Sequence, residues 1–255
     1  MIVSTTNGCM PPIYPKIRGK PECIRYPCYV EWKLDGELNM FKSTYLVSKS
    51  GKTRHSCPIT EHLARTIPQD RNITLYGELH YGEGKFGDLY KLLSNAKDNC
   101  LNYGIFDVTA VDLDRNATYE DRREYLLNII KLNTQVYVVP TIYCENHNER
   151  VQAYDLAIHD GYEGVVVKNK DSRLVMGNNT QWVKMKATYS ERVLVVQIDP
   201  TRERIEFTHH NKTHACKVPN RHKQSLKTGD WIEIEHQGML NGHGLRHPVF
   251  KRKVV

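Results

Sequence analysis

The pattern of the chain changes once, just after Ala187, and that change constrains the fold more than any single residue does. Before it, short runs rich in Val, Ile, Tyr and Phe alternate with segments of helical period. The runs predict strands over 29–33, 38–41, 46–48, 73–81, 103–108, 135–140, 164–168 and 181–186. Thr118-Tyr119-Glu120-Asp121 has the spacing of a capping box and predicts a helix over 122–132, with Tyr125, Leu126, Ile129 and Ile130 on one face. Asn148 is placed to cap a second helix carrying Val151, Tyr154 and Ile158, which Gly161 would end. After Ala187 the strands follow one another directly, over 193–198, 204–208, 214–218, 231–236 and 249–254, with one short helix near 219–226. Five strands in so short a tail have the makings of a small β-barrel. The expected class is therefore α+β, divided into 1–189 and 190–255.

Charge follows the same division. Residues 1–189 hold 24 Lys and Arg against 22 Asp and Glu, whereas 190–255 hold 12 against 7, together with seven of the twelve histidines. A basic tail attracts phosphate polymers through counterion release, although a solvated positive face has the same composition. No run of about 18 apolar residues occurs, and the start lacks the basic flank and apolar stretch of a secretory leader, so the expected place is intracellular. Seven cysteines without a C-x-x-C pair suggest reduced thiols, neither a disulfide framework nor a cysteine zinc site. His209, His210, His214 and Cys216 are close in sequence, but adjacent histidines on a strand point to opposite faces, which argues against a shared ion.

Chemistry concentrates at Glu31-Trp32-Lys33-Leu34-Asp35-Gly36, where a lysine ends a β-run, an aspartate follows two residues later, and a glycine allows a tight turn. A lysine attacks only as the neutral amine, so this one would need burial or neighbouring cations, and nearby carboxylates would oppose it unless a metal ion screened them. Alone, K-x-D-G is also what a surface strand-turn looks like. It is followed, in order, by Ser48-Lys49-Ser50-Gly51-Lys52, Leu75-Tyr76-Gly77-Glu78-Leu79, Tyr103-Gly104-Ile105-Phe106-Asp107, Gly161-Tyr162-Glu163-Gly164-Val165-Val166-Val167-Lys168, Trp182-Val183-Lys184-Met185-Lys186 and Gly244-Leu245-Arg246-His247-Pro248-Val249-Phe250.

This ordered set resembles the ATP-dependent DNA ligases of the covalent nucleotidyltransferase superfamily, over about residues 29–255. The resemblance implies an adenylation domain of antiparallel sheets with flanking helices, followed by an OB barrel. It implies a monomer that uses ATP and Mg²⁺, or Mn²⁺ in its place, to seal nicked duplex DNA in repair, replication or recombination, with no membrane partner. Lys33 matches the lysine that becomes adenylated, and Asp35 a carboxylate near the sugar or the metal. Glu31 matches the residue that receives the adenine amino group, Glu78 the ribose-binding glutamate, Phe106 the ring that stacks on adenine and Glu163 the metal-holding acid. Phe106 also suits a plain core position, and Glu78 and Glu163 suit strand-end surface charge. Lys184 and Lys186, two apart on one strand face, match phosphate-binding lysines. Arg246 matches an arginine that touches the β and γ phosphates, which implies a tail that closes for the first step and swings away about 187–190.

Two positions depart from the resemblance. Leu38 and Lys49 stand where the family usually has arginines that meet the nick, and Lys49, Lys52 and Arg54 are the replacement cations at hand. Some RNA ligases also lack the first arginine, so an RNA ligase is one rival, and an inactive nucleic-acid-binding protein is another. The terminal segment around Arg246 favours the DNA ligases.

Overall fold

The structure is a computed structural model that describes residues 2–5, 13–85, 100–199, 203–219, 222, 225–240 and 244–254. It divides into two compact units, Met1–Met185 and Lys186–Val255. In the first, the strands are β1 (Ile2–Thr5), β2 (Pro15–Gly19), β3 (Cys28–Trp32), β4 (Glu37–Lys42), β5 (Tyr45–Ser48), β6 (Lys52–His55), β7 (Thr74–Tyr81), β8 (Leu101–Thr109), β9 (Val136–Val138), β10 (Thr141–Cys144), β11 (Gly164–Asn169) and β12 (Gly177–Lys186). The helices are α1 (Pro58–Thr66), α2 (Tyr119–Ile129) and α3 (His147–His159).

These strands form two sheets, ordered β1-β6-β5-β4-β7-β8-β9 and β10-β3-β11-β12-β2. β8 pairs with β9 and β12 with β2 in parallel, while β3 pairs antiparallel with β10 and β11, and the first sheet is antiparallel from β1 to β8. The first sheet packs Phe41, Leu75, Tyr103 and Ile105 with Leu63 of α1 and Leu126 of α2. The second packs Cys28, Val30, Val165 and Val167 with Ala153 and Ala157 of α3. Because side chains alternate along a strand, burying Cys28 and Val30 against α3 sends Glu31 to the opposite face, where a cleft lies. The same alternation in β11 sends Val166 and Lys168 there.

The capping box at Thr118 forms as the sequence predicts: its hydroxyl accepts from the Asp121 N–H, and its own N–H donates to the Asp121 carboxylate at 2.8 Å. The second helix is capped by Asn146, two residues before the expected Asn148, because the Asn146 side chain accepts from the Glu149 N–H at 3.1 Å. Its buried residues are Arg150, which donates to the Tyr26 hydroxyl at 3.0 Å, and Ala153 and Ala157, whose small side chains let the helix lie close to its sheet. Gly161 ends it in the left-handed region, φ +85°. β3 stops at Trp32, so Lys33 lies just past the strand and not within it.

The second unit has a sheet ordered β15-β14-β13-β16-β19, from β13 (Tyr189–Asp199), β14 (Arg204–His209), β15 (Lys212–Lys217), β16 (Trp231–His236) and β19 (Val249–Lys253). β17 (Met239–Leu240) and β18 (Gly244–Leu245) form a separate two-stranded pair. Val195, Ile205, Phe207, Ile232, Ile234 and Phe250 form its core. No closing pairing between β15 and β19 is present among the described residues. The helix expected near 219–226 falls largely outside the described residues. Among the described residues no helix is long and apolar enough to cross a membrane.

Candidate active site

A cleft of about 650 Å³ opens between the two sheets of the first unit, with Pro15, Ile17, Leu34 and Leu38 as apolar walls. Lys33 stands in it. Its backbone N–H donates to the Gly164 carbonyl at 2.9 Å, which carries the pairing of β3 with β11 one residue past the strand. That register brings Lys33 Nζ into direct contact with a carboxylate oxygen of Glu163, a residue 130 positions away in the chain. Glu163 is buried while the lysine keeps partial access to solvent. Asp35 is buried too, its N–H donating to the Gly84 carbonyl at 2.9 Å. The glycine of the motif has a role other than the tight turn expected of it. A Cβ at Gly36 would stand 2.5 Å from the Leu79 carbonyl oxygen and 2.7 Å from the Glu78 side chain, so its bare Cα lets β4 lie against β7.

Glu78 lies directly across from Leu38. Burial pushes its carboxyl up to about 7; the charges of Glu163 and Asp35 add to the rise, and Lys33 opposes it. Glu78 thus feels one ammonium and two further carboxylates. Among the described residues no three His, Cys, Asp or Glu side chains converge closely enough to hold an ion alone. Hard oxygen donors that leave places for water and phosphate oxygens nevertheless suit Mg²⁺, which is commonly held by one or two carboxylates plus its substrate.

Deeper in the cleft Glu31, 2% exposed, is held from two sides: Lys168 Nζ is 2.7 Å from one oxygen, and the Tyr119 hydroxyl donates to the other. Burial pushes the Glu31 carboxyl up and the Lys168 amine down, each opposed by the other's charge. Lys168 Nζ also donates to the Phe106 carbonyl at 2.8 Å and lies 4.1 Å from the Trp182 ring centre. Phe106 and Trp182 meet edge to face, 6.2 Å between centroids. Beneath them Arg122 forks onto both oxygens of Asp107, at 2.6 and 3.1 Å, fixing α2 to β8 one residue past Phe106.

Of the residues read from sequence, Glu31, Lys33, Glu78 and Phe106 line this one cleft, with Glu163 on Lys33. Lys184 is exposed on β12 and shares the strand face of Trp182. Lys186, the last residue of β12 and the first of the second unit, donates within that unit to the Gln237 side chain at 3.2 Å. Arg246 belongs to the second unit, where its backbone N–H donates to the Gly238 carbonyl. Lys49 and Lys52 are exposed, and the Lys49 N–H donates to the Leu38 carbonyl. Arg54, unlike those two lysines, is buried and pairs with Glu37 at 3.1 Å. His209 and His210 also differ from expectation. The strand ends at His209 and His210 turns left-handed, φ 45°, so the two rings meet edge to face at 4.2 Å, while His209 pairs with Glu191. Lys168, Trp182, Tyr119 and Arg122 are additional parts of the site. Lys168 and Trp182 stood at the ends of quoted motifs; nothing local marked Tyr119 or Arg122.

A family model described as ATP dependent DNA ligase domain matches residues 21–186. Among curated proteins, a DNA ligase of Sulfolobus acidocaldarius is 27% identical over 187 residues, and one of Sulfurisphaera tokodaii 26% identical over 191. Each match takes in 64% of this chain and 31% of the relative, so the chain spans about a third of their length. Among solved structures, a Lig E DNA ligase matches with TM-score 0.75 at 16% identity, over 96% of this chain and all of that one. The ATP-dependent DNA ligase of bacteriophage T7, in complex with ATP, matches with TM-score 0.56 at 14% identity, over 94% and 98%. At such identities the likeness is one of fold, an α+β first unit followed by an all-β one. The family match is of another order, since it runs through the Lys33 segment, the Glu163 segment and the whole of β12 and covers well over half of the sequence; the chain belongs to the ATP-dependent DNA ligase domain family.

Proposed function

We propose that the protein is an ATP-dependent ligase that joins a 5′-phosphate to a 3′-hydroxyl at a nick in duplex DNA, working as a monomer inside the cell. The observation that carries this reading is the contact of Lys33 with Glu163 at a cleft whose floor holds Glu31 and Phe106. In the first step the Lys33 amine attacks the α-phosphorus of ATP: an N–P bond forms as the bond to pyrophosphate breaks. Attack requires loss of a proton from the ammonium, and Glu163 is the acceptor in contact with it. Glu31 accepts from the adenine amino group, Phe106 stacks on the base and Glu78 binds the ribose. Lys184, Lys186 and, from the second unit, Arg246 neutralise phosphate charge. Glu163 and Asp35 would hold Mg²⁺, which supplies charge neutralisation at the reacting phosphates. Lys33 then yields AMP to the 5′-phosphate, and the 3′-hydroxyl displaces AMP to form the phosphodiester. Exposed Lys49 and Lys52 are assigned to the DNA backbone, the role first given also to Arg54.

The test is covalent labelling. Protein incubated with ATP labelled at the α-phosphate should keep label through denaturing electrophoresis and lose it on a chase with nicked duplex, while Lys33→Ala should take none. A wild-type protein that takes no label, or a Lys33→Ala protein that does, overturns the proposal.

A further inference from the structure

Tyr119 carries no motif and does nothing in the scheme above, yet it is buried with its hydroxyl on the carboxylate of Glu31, which lines the cleft. It is the first residue of α2, whose start is fixed by the Thr118–Asp121 capping box. One turn further on, Arg122 ties the same helix to Asp107, and the neighbouring Phe106 carbonyl accepts from Lys168. The carboxylate that would face the purine edge and the ring that would stack on it therefore share one frame, and Tyr119 is the link from that frame to one oxygen of Glu31. A carboxylate in this position reads a purine by what it can accept. It can take a hydrogen bond from an exocyclic amino group, and it faces the lone pairs of a 6-oxo group with repulsion. Burial favours the protonated carboxyl, which would offer an O–H and lose that distinction; the ammonium of Lys168 on one oxygen opposes this most, and the Tyr119 hydroxyl on the other adds to it by donating to the ionised form.

We infer that Tyr119 is a positioning residue for base choice: by donating to Glu31 it presents the carboxylate as an acceptor, so that the cleft takes a 6-amino purine nucleotide in preference to a 6-oxo one. The inference rests on the lysyl-adenylate reading given above. Its test compares ATP with inosine triphosphate in single-turnover self-labelling by wild type, Tyr119→Phe, Glu31→Gln and the double variant. Affinities are taken in parallel from tryptophan fluorescence, since Trp32 and Trp182 line the cleft.

The wild type should prefer ATP. Tyr119→Phe should lower that preference about tenfold, mostly through ATP affinity, as expected for loss of a hydrogen bond to a charged group. On the Glu31→Gln background the same change should leave the preference unaltered, because Tyr119 acts through Glu31. A Tyr119→Phe protein with the wild-type preference overturns the inference. So does an equal loss with both nucleotides, or a loss that persists when Glu31 is already Gln, since either marks a purely structural role. Wild type labelled by neither nucleotide would overturn the lysyl-adenylate reading itself and this inference with it, whereas labelled wild type with an indifferent Tyr119→Phe overturns this inference alone.

Discussion

Lys33 and Glu163 show how far single residues can be read without a structure. Each sat in a segment whose composition announced chemistry, and only the register of β3 against β11 made them a contact. The burial of Arg54 was not legible, because a cation on a short strand looks the same from either face and its partner Glu37 lies 17 residues away. Glu78 gives a prediction at this scale. Its carboxyl titrates at about 7 in the folded protein against an ordinary value of 4.5, so the folded state binds the extra proton and stability falls as pH rises from about 4.5 through 7. Glu78→Gln has no charge to bury. Its melting temperature should match that of the wild type near pH 4 and exceed it at pH 8; equal values at pH 8 would show that the carboxylate is not penalised by its surroundings.

Among elements, α2 was legible because its start is written locally, in Thr118 and Asp121. The helix α1 was not expected: it is nine residues long, capped by Cys57 and opened by Pro58, and only Ile59, Thr60 and Leu63 are buried in it. Too few apolar positions recur there to establish a period. β10 was missed because its four residues are recruited by β3, a tertiary event. What α2 does for the site was equally hidden, since the Arg122–Asp107 pair spans two elements and both side chains are almost wholly buried. Removing one member of such a pair leaves the other charge uncompensated. Arg122→Ala should therefore cost about 3–5 kcal/mol in a denaturant titration. Replacing both members by apolar residues, Arg122→Met with Asp107→Leu, should cost less than the single change. A double variant as unstable as the sum of its parts would mean the two do not act as a unit.

For the whole molecule, the strand pattern puts a change just after Ala187, and the chain divides into compact units at Met185 and Lys186. The division yields a functional expectation, because an interaction with the leaving pyrophosphate can lower the barrier only of the step in which pyrophosphate leaves. Arg246→Ala should lose about 2–4 kcal/mol of transition-state stabilisation in self-labelling with ATP, yet close a nick supplied already adenylated at the wild-type rate. Failure on both substrates alike would place Arg246 in every step. The parallel pairing of β2 with β12 has a different consequence, which concerns how the molecule comes into being. Pro15 and Ile17 wall the cleft from β2, but the strand they pair with begins only at Gly177. At about 5–20 residues per second a ribosome needs roughly 10–30 s to make the intervening chain. Through most of that interval Lys33 is already made while β2 still lacks the strand it pairs with, so the cleft is completed late in synthesis, when β12 arrives.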